Sequence, residues 1–348
     1  MDHARLPEVA GGVDTHLDTH TAAVIDTIGR VLGTRQFPAD AAGYRGLLAW
    51  MRSFGRLSRI GVEGTGAYGA GLARLLRAED VQVIEVDRPD RKIRRFQGKS
   101  DPIDAIQAAK AAIADTRAGV PKQREGQVEA LRNLRVARRS AVEQRADTQR
   151  RMRALIVTAA DELRERLRGL TVAKLITVCA GMRSDTTDAA SPATAAKIAL
   201  RSLARRHQQL SVEIGELDAL LGPLVVAINP RLAEANGVGP EVAGQLLVTA
   251  GENHDRIGSD AAFAMLCGAA PIPASSGKTN RHRLNRGGDR QANAALYRVV
   301  LCRLRWDPRT RAYAERRTRE GLSKKEIIRC LKRYIARELY QLITTNDL

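Results

Sequence analysis

Between Gln127 and Arg168 the chain holds neither glycine nor proline and is rich in arginine, which constrains the fold more than any other feature. Val128, Leu131, Leu134, Val142, Met152, Leu155 and Ile156 form an imperfect helical stripe there, so a long amphipathic helix is expected. A second stripe, Leu203, Leu210, Ile214, Leu217 and Leu221, follows the loop-like AGMRSDTTDAASPAT. Two long helices joined by a loop predict an antiparallel coiled-coil arm over residues 121–226, with an ordinary helical bundle as the plainer alternative.

Residues 1–120, ahead of this arm, alternate between strand and helix patterns. EVAGGVD is a short apolar run ending at Asp14, and TAAVIDTIGRVLGTRQF predicts two strands turning at Gly29, giving an antiparallel meander. AAGYRGLLAWMRSFG has helical spacing at Tyr44, Leu47, Leu48 and Met51, and SRIGVEGTG is a strand stopping in glycines. AYGAGLARLLRAED is again helical, and VQVIEVDRP is a buried strand ended by Pro89. Strands alternating with helices imply an α/β layer fold.

Residues 227–348, behind the arm, are mainly helical. NGVGPEVAGQLL resembles a helix-hairpin-helix element, whose turn can offer backbone amides to a DNA phosphate, although such turns also cap helices in proteins that bind nothing. KKEIIRCLKRYIARELYQLI places Ile327, Ile328, Leu331, Tyr334, Ile335, Leu339 and Leu342 on one face and basic residues opposite.

Charge narrows the partner. Lysine and arginine number 57 against 39 acids, a net charge of +18, which points to a polyanion, nucleic acid before a membrane surface. Aromatic residues make up 3% of the chain, which disfavours a single-strand binder that relies on base stacking. No apolar run approaches a bilayer-spanning length, and MDHARLPEVAGG lacks the pattern of a signal peptide, so a cytoplasmic, non-membrane protein is expected. Cys179, Cys267, Cys302 and Cys330 are far apart with no Cys-x-x-Cys pair, which argues against a zinc ribbon or a disulfide framework and for mostly core cysteines.

Against this basic background the acids in RRFQGKSDPIDAIQAAK need a reason. Helix capping is one: Asp101 is a favoured N-cap, Pro102 suits the first helical position and Asp104 sits near the positive dipole end. A shared site is the other. In a sheet of the ribonuclease H type, Asp14 ends the first strand, Glu63 ends a later strand before Gly64 and Gly66, and Asp101 and Asp104 stand three apart on one helix face. Four acids at one sheet edge repel unless divalent cations neutralise them, and paired magnesium ions stabilise the attacking and leaving oxygens at a phosphodiester. Arg88, Arg91, Lys92, Arg94, Arg95 and Lys99 could then hold the nucleic-acid backbone. Glu85 and Asp87 are possible substitutes in the acidic set. His16, Asp18 and His20, lacking a convincing third ligand, read as polar surface.

A second candidate lies in PIPASSGKTNRHRLNRGGDRQANAALY. SGKT imitates the end of a P-loop, but the required first glycine would fall at Ile272, so a P-loop is rejected. There remains a loop with Ser275 and Ser276, followed by Lys278, Arg281, His282, Arg283, Arg286 and Arg290. Dense positive charge can favour a serine alkoxide and a developing phosphorane. The bland alternative is a loop that grips phosphate.

Together GVDTH, GVEGTG and KSDPIDA, in that order and spacing, with CGAAPIPASSGKT and RGGDRQANAALY near the end, resemble the DEDD transposases of insertion-sequence family one-hundred-and-ten and the related Piv invertases, over nearly the whole chain. The resemblance implies a RuvC-like, RNase H-like domain at 1–120 with Asp14, Glu63, Asp101 and Asp104 as a catalytic metal tetrad for Mg2+, or Mn2+. It implies a transposase domain at 227–348 with a nucleophilic serine, Ser276 or the adjacent Ser275. It further implies Mg-dependent DNA strand exchange through phosphoserine in the prokaryotic nucleoid, a bridge RNA that selects DNA, and a dimer or tetramer whose site is shared between protomers. Nucleic-acid contacts are expected at Arg91, Arg94, Arg95, Lys99, Lys278, Arg281, Arg283 and Arg286. Two other readings stay open on the residues alone. A metal-dependent junction nuclease would activate water and form no adduct. An architectural binder would show salt-sensitive binding without magnesium chemistry.

Overall fold

The computed structural model describes residues 6–86, 100–114, 118–183, 186–278 and 282–345. The chain divides into two compact units, one of Met1–Arg124 and Asn253–Gly258, the other of Glu125–Glu252 and Ser259–Leu348.

The first unit is built on six strands, β1 (Glu8–Thr15), β2 (Thr19–Asp26), β3 (Val31–Pro38), β4 (Arg56–Glu63), β5 (Gln82–Val86) and β6 (Ala118–Gly119), in the order β3-β2-β1-β4-β5-β6. β1, β2 and β3 form the antiparallel meander the sequence predicts, while β4 and β5 run parallel to β1. The turn from β2 to β3 uses Gly29 at φ +85°, and the Asp26 carboxylate accepts the Ile28 and Arg30 amides.

Strand alternation gives the sheet two different faces. Val9, Val13 and Val62 pack with Leu47, Leu48 and Met51 of α1 (Ala41–Arg52) and Leu72 and Leu76 of α2 (Ala70–Ala78). The opposite face receives α3 (Asp101–Ala114), whose buried positions include Ala105, Ala108, Ala109 and Ala112. It rests on two glycines. A Cβ at Gly12 would lie 2.1 Å from the Ala105 carbonyl oxygen, and one at Gly61 2.2 Å from that of Ala108. Small residues on both partners let this helix approach its sheet more closely than ordinary side chains permit.

In the second unit, α4 (Gln127–Val157) and α7 (Pro192–Ile228) run antiparallel, tied by Arg138 to Asp218 and by Arg145 to Ser211. The first helical stripe stops at Val157 rather than Arg168, because a new helix, α5 (Asp161–Arg168), starts with acids in its first turn. α6 (Val172–Ala180) follows, so the link between the long helices is largely helical. Met152, Leu163, Leu167, Leu175, Ile176 and Leu200 make one core there.

Beyond α7 come α8 (Pro230–Glu234), a turn with Gly237 at φ +74°, and α9 (Pro240–Ala250), so the glycines of NGVGPEVAGQLL lie between a one-turn helix and a longer one. The unit ends with α10 (Asp260–Leu266), the short hairpin β7 (Ile272–Pro273) and β8 (His282–Arg283), α11 (Arg290–Trp306), α12 (Pro308–Arg319) and α13 (Lys324–Thr344). α13 buries Ile327, Leu331, Ile335, Ala336, Leu339 and Ile343, whereas Tyr334 is 55% exposed, packing edge-on to Tyr313. Only two cysteines, Cys179 and Cys267, are core residues; Cys302 is exposed. No helix among the described residues is long and apolar enough to cross a membrane.

Candidate functional site

The acidic site is built from the glycines outward. Gly12 and Gly61 face α3, and two residues on, by strand alternation, Asp14 and Glu63 face the same way. Val13 pairs with Val62 in the parallel ladder, so the two acids are neighbours at the carboxyl ends of adjoining strands. The Thr15 hydroxyl fastens those ends by donating 2.8 Å to the Glu63 carbonyl.

The direction of α3 does the rest. Ala109 packs near Ala10, Ala105 lies over Gly12, and the first turn, carrying Asp101 and Asp104, therefore arrives at Asp14. Its first backbone hydrogen bond runs from the Asp104 amide to the Ser100 carbonyl. Ser100 thus holds the N-cap position expected for Asp101, and Asp101 lies inside the first turn.

His16 completes the cluster. Its Nε2 donates to Asp14 Oδ2 at 3.2 Å and lies 3.5 Å from Asp101 Oδ1. Asp14, His16 and Asp101 each offer a donor atom, and the three lie within 4.8 Å of one another. Burial pushes the Asp14 carboxyl above its usual range; His16 pulls it down, while Asp104 and then Asp101 push it up. A cation here would relieve both burdens on Asp14, the lost hydration and the like charge.

The residues grouped as HLDTH separate. Asp18 is exposed in the β1–β2 turn. His20 pairs with Thr15 in the ladder, so it lies on the other face, fully buried and stacked on Tyr44 at 5.3 Å. Its imidazole is held below its usual pKa by burial. Only His16 joins the acids, and its spacing of two from Asp14 was the available signal. Glu85 is no substitute. Its ladder partner is Val62, which puts it on the α1–α2 face, where the Thr65 hydroxyl donates to it. Asp87, Arg88, Arg91, Lys92, Arg94, Arg95 and Lys99 lie outside the described residues.

The serine loop belongs to the second unit. Ser276 is exposed between β7 and β8, followed by Gly277 at φ +55°, a left-handed turn position that favours glycine. Ser275, Lys278, Arg283 and Arg286 are also exposed; Arg281 lies outside the described residues. Between this hairpin and α13 is a cavity of about 640 Å³, lined by His282, Arg283, Arg329, Lys332, Arg333 and Arg337 with Glu326 as its acid. Lys332 Nζ donates 2.7 Å to Asn293 Oδ1, and burial followed by Arg329 holds its ammonium below the usual range. The basic side of the terminal helix, visible as a pattern in sequence, thus lines a concave surface.

A six-stranded mixed sheet with carboxylates at the ends of β1 and β4 and at the start of α3, followed by a mostly helical remainder, fits the RNase H-like class. Residues 11–160 match the transposase family of DEDD IS110 enzymes, and residues 229–315 match the transposase IS116/IS110/IS902 family. The chain belongs to the IS110 transposases. It is similar to an insertion element IS110 uncharacterized 43.6 kDa protein of Streptomyces coelicolor, 31% identical over 121 residues. That match spans 34% of this chain and 29% of the relative.

Proposed function

We propose that the protein is a DNA transposase or recombinase that exchanges DNA strands with a divalent metal, Mg2+ or Mn2+, through a serine-linked intermediate. The observation that carries this reading is the buried Asp14 carboxylate, adjoined by Glu63 and by the first turn of α3, in a chain of net charge +18. The donor set fits the ion. Carboxylate oxygens are the ligands a hard divalent cation takes, and those of Asp14 and Asp101 lie within 4.8 Å of one another.

Asp14, Glu63, Asp101 and Asp104 hold the metal, which when bound neutralises their charge and stabilises charge developing at the scissile phosphate. Ser276 Oγ attacks phosphorus. The Oγ–P bond forms as one P–O bond to the sugar breaks, the serine proton goes to solvent, and the freed sugar oxygen is protonated. A hydroxyl of another strand then attacks the phosphoserine and releases Ser276, so no nucleotide triphosphate is needed. Arg91, Arg94, Arg95 and Lys99 grip phosphates, as do Lys278, Arg281, Arg283 and Arg286, and the basic cavity beside α13 offers further contacts within the second unit. The reading extends, as the sequence resemblance implies, to a structured bridge RNA as guide and to a dimer or tetramer in which acids and serine come from different protomers, acting on nucleoid DNA.

The test is a covalent trap with full-length protein, element-end DNA, the adjoining structured RNA and Mn2+. An adduct absent in Ser276→Ala and retained in Ser275→Ala is expected. The converse moves the nucleophile by one residue. Cleavage without adduct in the unmodified protein overturns the serine mechanism for a water-activating nuclease.

A further inference from the structure

We infer that His16 is a direct ligand of the ion in this site, through Nε2, and that it tilts the site's preference from Mg2+ toward Mn2+. The inference rests on the proposed metal-dependent reading and adds a residue to the acidic set.

Three observations carry it. The first is geometric. An imidazole nitrogen carries one proton and can serve one acceptor well, yet Nε2 of His16 points between two, Asp14 Oδ2 at 3.2 Å and Asp101 Oδ1 at 3.5 Å. Charge-assisted N–H···O bonds settle at about 2.7–2.9 Å, so both contacts are long for an ion pair. They are close to the spacing of neighbouring donors around one octahedral ion.

The second is placement. The His16 amide donates 3.0 Å to the Thr19 carbonyl, fixing the tight turn between β1 and β2. Alternation through buried Thr15 then returns His16 to the face that bears Asp14. Its backbone is held by the sheet, as is that of Asp14, so the pair is set before any ion arrives.

The third is access. The His16 and Asp101 side chains are 44% and 41% exposed, whereas that of Asp14 is 9% exposed. Asp14 would hold an ion from the buried side, and His16 and Asp101 from the exposed side that a phosphate could reach. Binding through Nε2 releases that nitrogen's proton to solvent. Mg2+ strongly favours oxygen donors, while an imidazole nitrogen suits transition-metal ions better.

The experiment uses full-length protein without nucleic acid, with Mn2+ and Mg2+ as probes. Electron spin-echo modulation of bound Mn2+ is expected to show coupling to a directly bonded 14N, changed by 15N-histidine labelling and lost in His16→Gln. Calorimetry of that variant is expected to show Mn2+ affinity lowered at least about 10-fold, with Mg2+ affinity lowered less. Mn2+ bound by unmodified protein without nitrogen coupling, or with coupling that survives in His16→Gln, overturns the His16 assignment and leaves the acidic site standing. Absence of Mn2+ and Mg2+ binding that depends on Asp14 overturns the metal-dependent reading itself. The coupling is measured on unmodified protein, so it does not depend on the variant's folding.

Discussion

Gly12→Ala perturbs the site without touching any acid. The added Cβ would lie 2.1 Å from the Ala105 carbonyl oxygen and 2.2 Å from the Ala109 amide nitrogen. Both are backbone atoms of α3, so no rotamer change can relieve the clash. Reaching even 3.0 Å requires the helix to withdraw about 0.9 Å from β1. Adding a methyl to a packed core costs about 1–3 kcal/mol, offset by about 0.4–1 kcal/mol from the stiffer unfolded chain. A net loss of about 1–2 kcal/mol in urea unfolding is expected. The functional effect should be larger. Asp101 and Asp104 ride on the first turn of α3, and a shift approaching 1 Å in positioned groups can cost about 100-fold in rate. Mn2+ affinity should fall with it, because the 3.5 Å separation of Asp101 from His16 would widen. Gly46→Ala is the matched control. Its Cβ would be 3.8 Å from the nearest Phe37 atom, on an exposed helix position, so a gain of about 0.5–1 kcal/mol and unchanged metal binding are expected. Gly12→Ala protein that unfolds at the same urea concentration as the unmodified chain and binds Mn2+ equally would refute the close-approach reasoning.

Three other substitutions probe the two units separately. His20 is neutral and buried, with its pKa held down by burial, so it should be a source of acid lability. The unfolded chain binds a proton near pH 6.5 that the folded chain does not, so stability is present above that pH and is lost as pH falls toward the folded value, by at most about 1.4 kcal/mol per pH unit. His20→Phe, which keeps a ring against Tyr44, should flatten the melting-temperature profile below pH 6.5; an unchanged slope would show that His20 does not titrate differently in the two states. In the second unit, buried Arg303 donates to the Asn236 carbonyl at 2.9 Å and pairs with both Glu338 oxygens at 2.7 and 2.8 Å. Arg303→Met orphans the carbonyl beside the Gly237 turn and should cost about 1–3 kcal/mol in urea unfolding. Glu338→Gln, at a half-exposed carboxylate, should cost under about 1 kcal/mol. Equal losses in the two variants would show that the ion pair, not the carbonyl contact, holds the turn.

By itself the sequence determined which residue types recur at which spacing, and that was enough for the meander turning at Gly29, the strand ending at Glu63 and the one ending a residue past Asp14, the helix opening at Asp101 and the apolar stripes of the long helices. These depend on alternation and on helix and turn preferences, all properties of neighbours along the chain. Even so, a stripe could not reveal that the first long helix ends at Val157, because no glycine or proline marks the break. What only the tertiary structure decided is which face each strand residue takes and how near the facing helix comes. His16 and His20 look equivalent in HLDTH, yet the turn between them reverses strand phase and sends one to the acids and the other into the core. Glu85 differs from Glu63 for the same reason, its ladder partner being Val62. Asp14 meets Asp101 because Gly12 and Gly61 leave room for the backbone of α3, a contact across more than ninety residues for Gly12 and more than forty for Gly61, which no local pattern encodes.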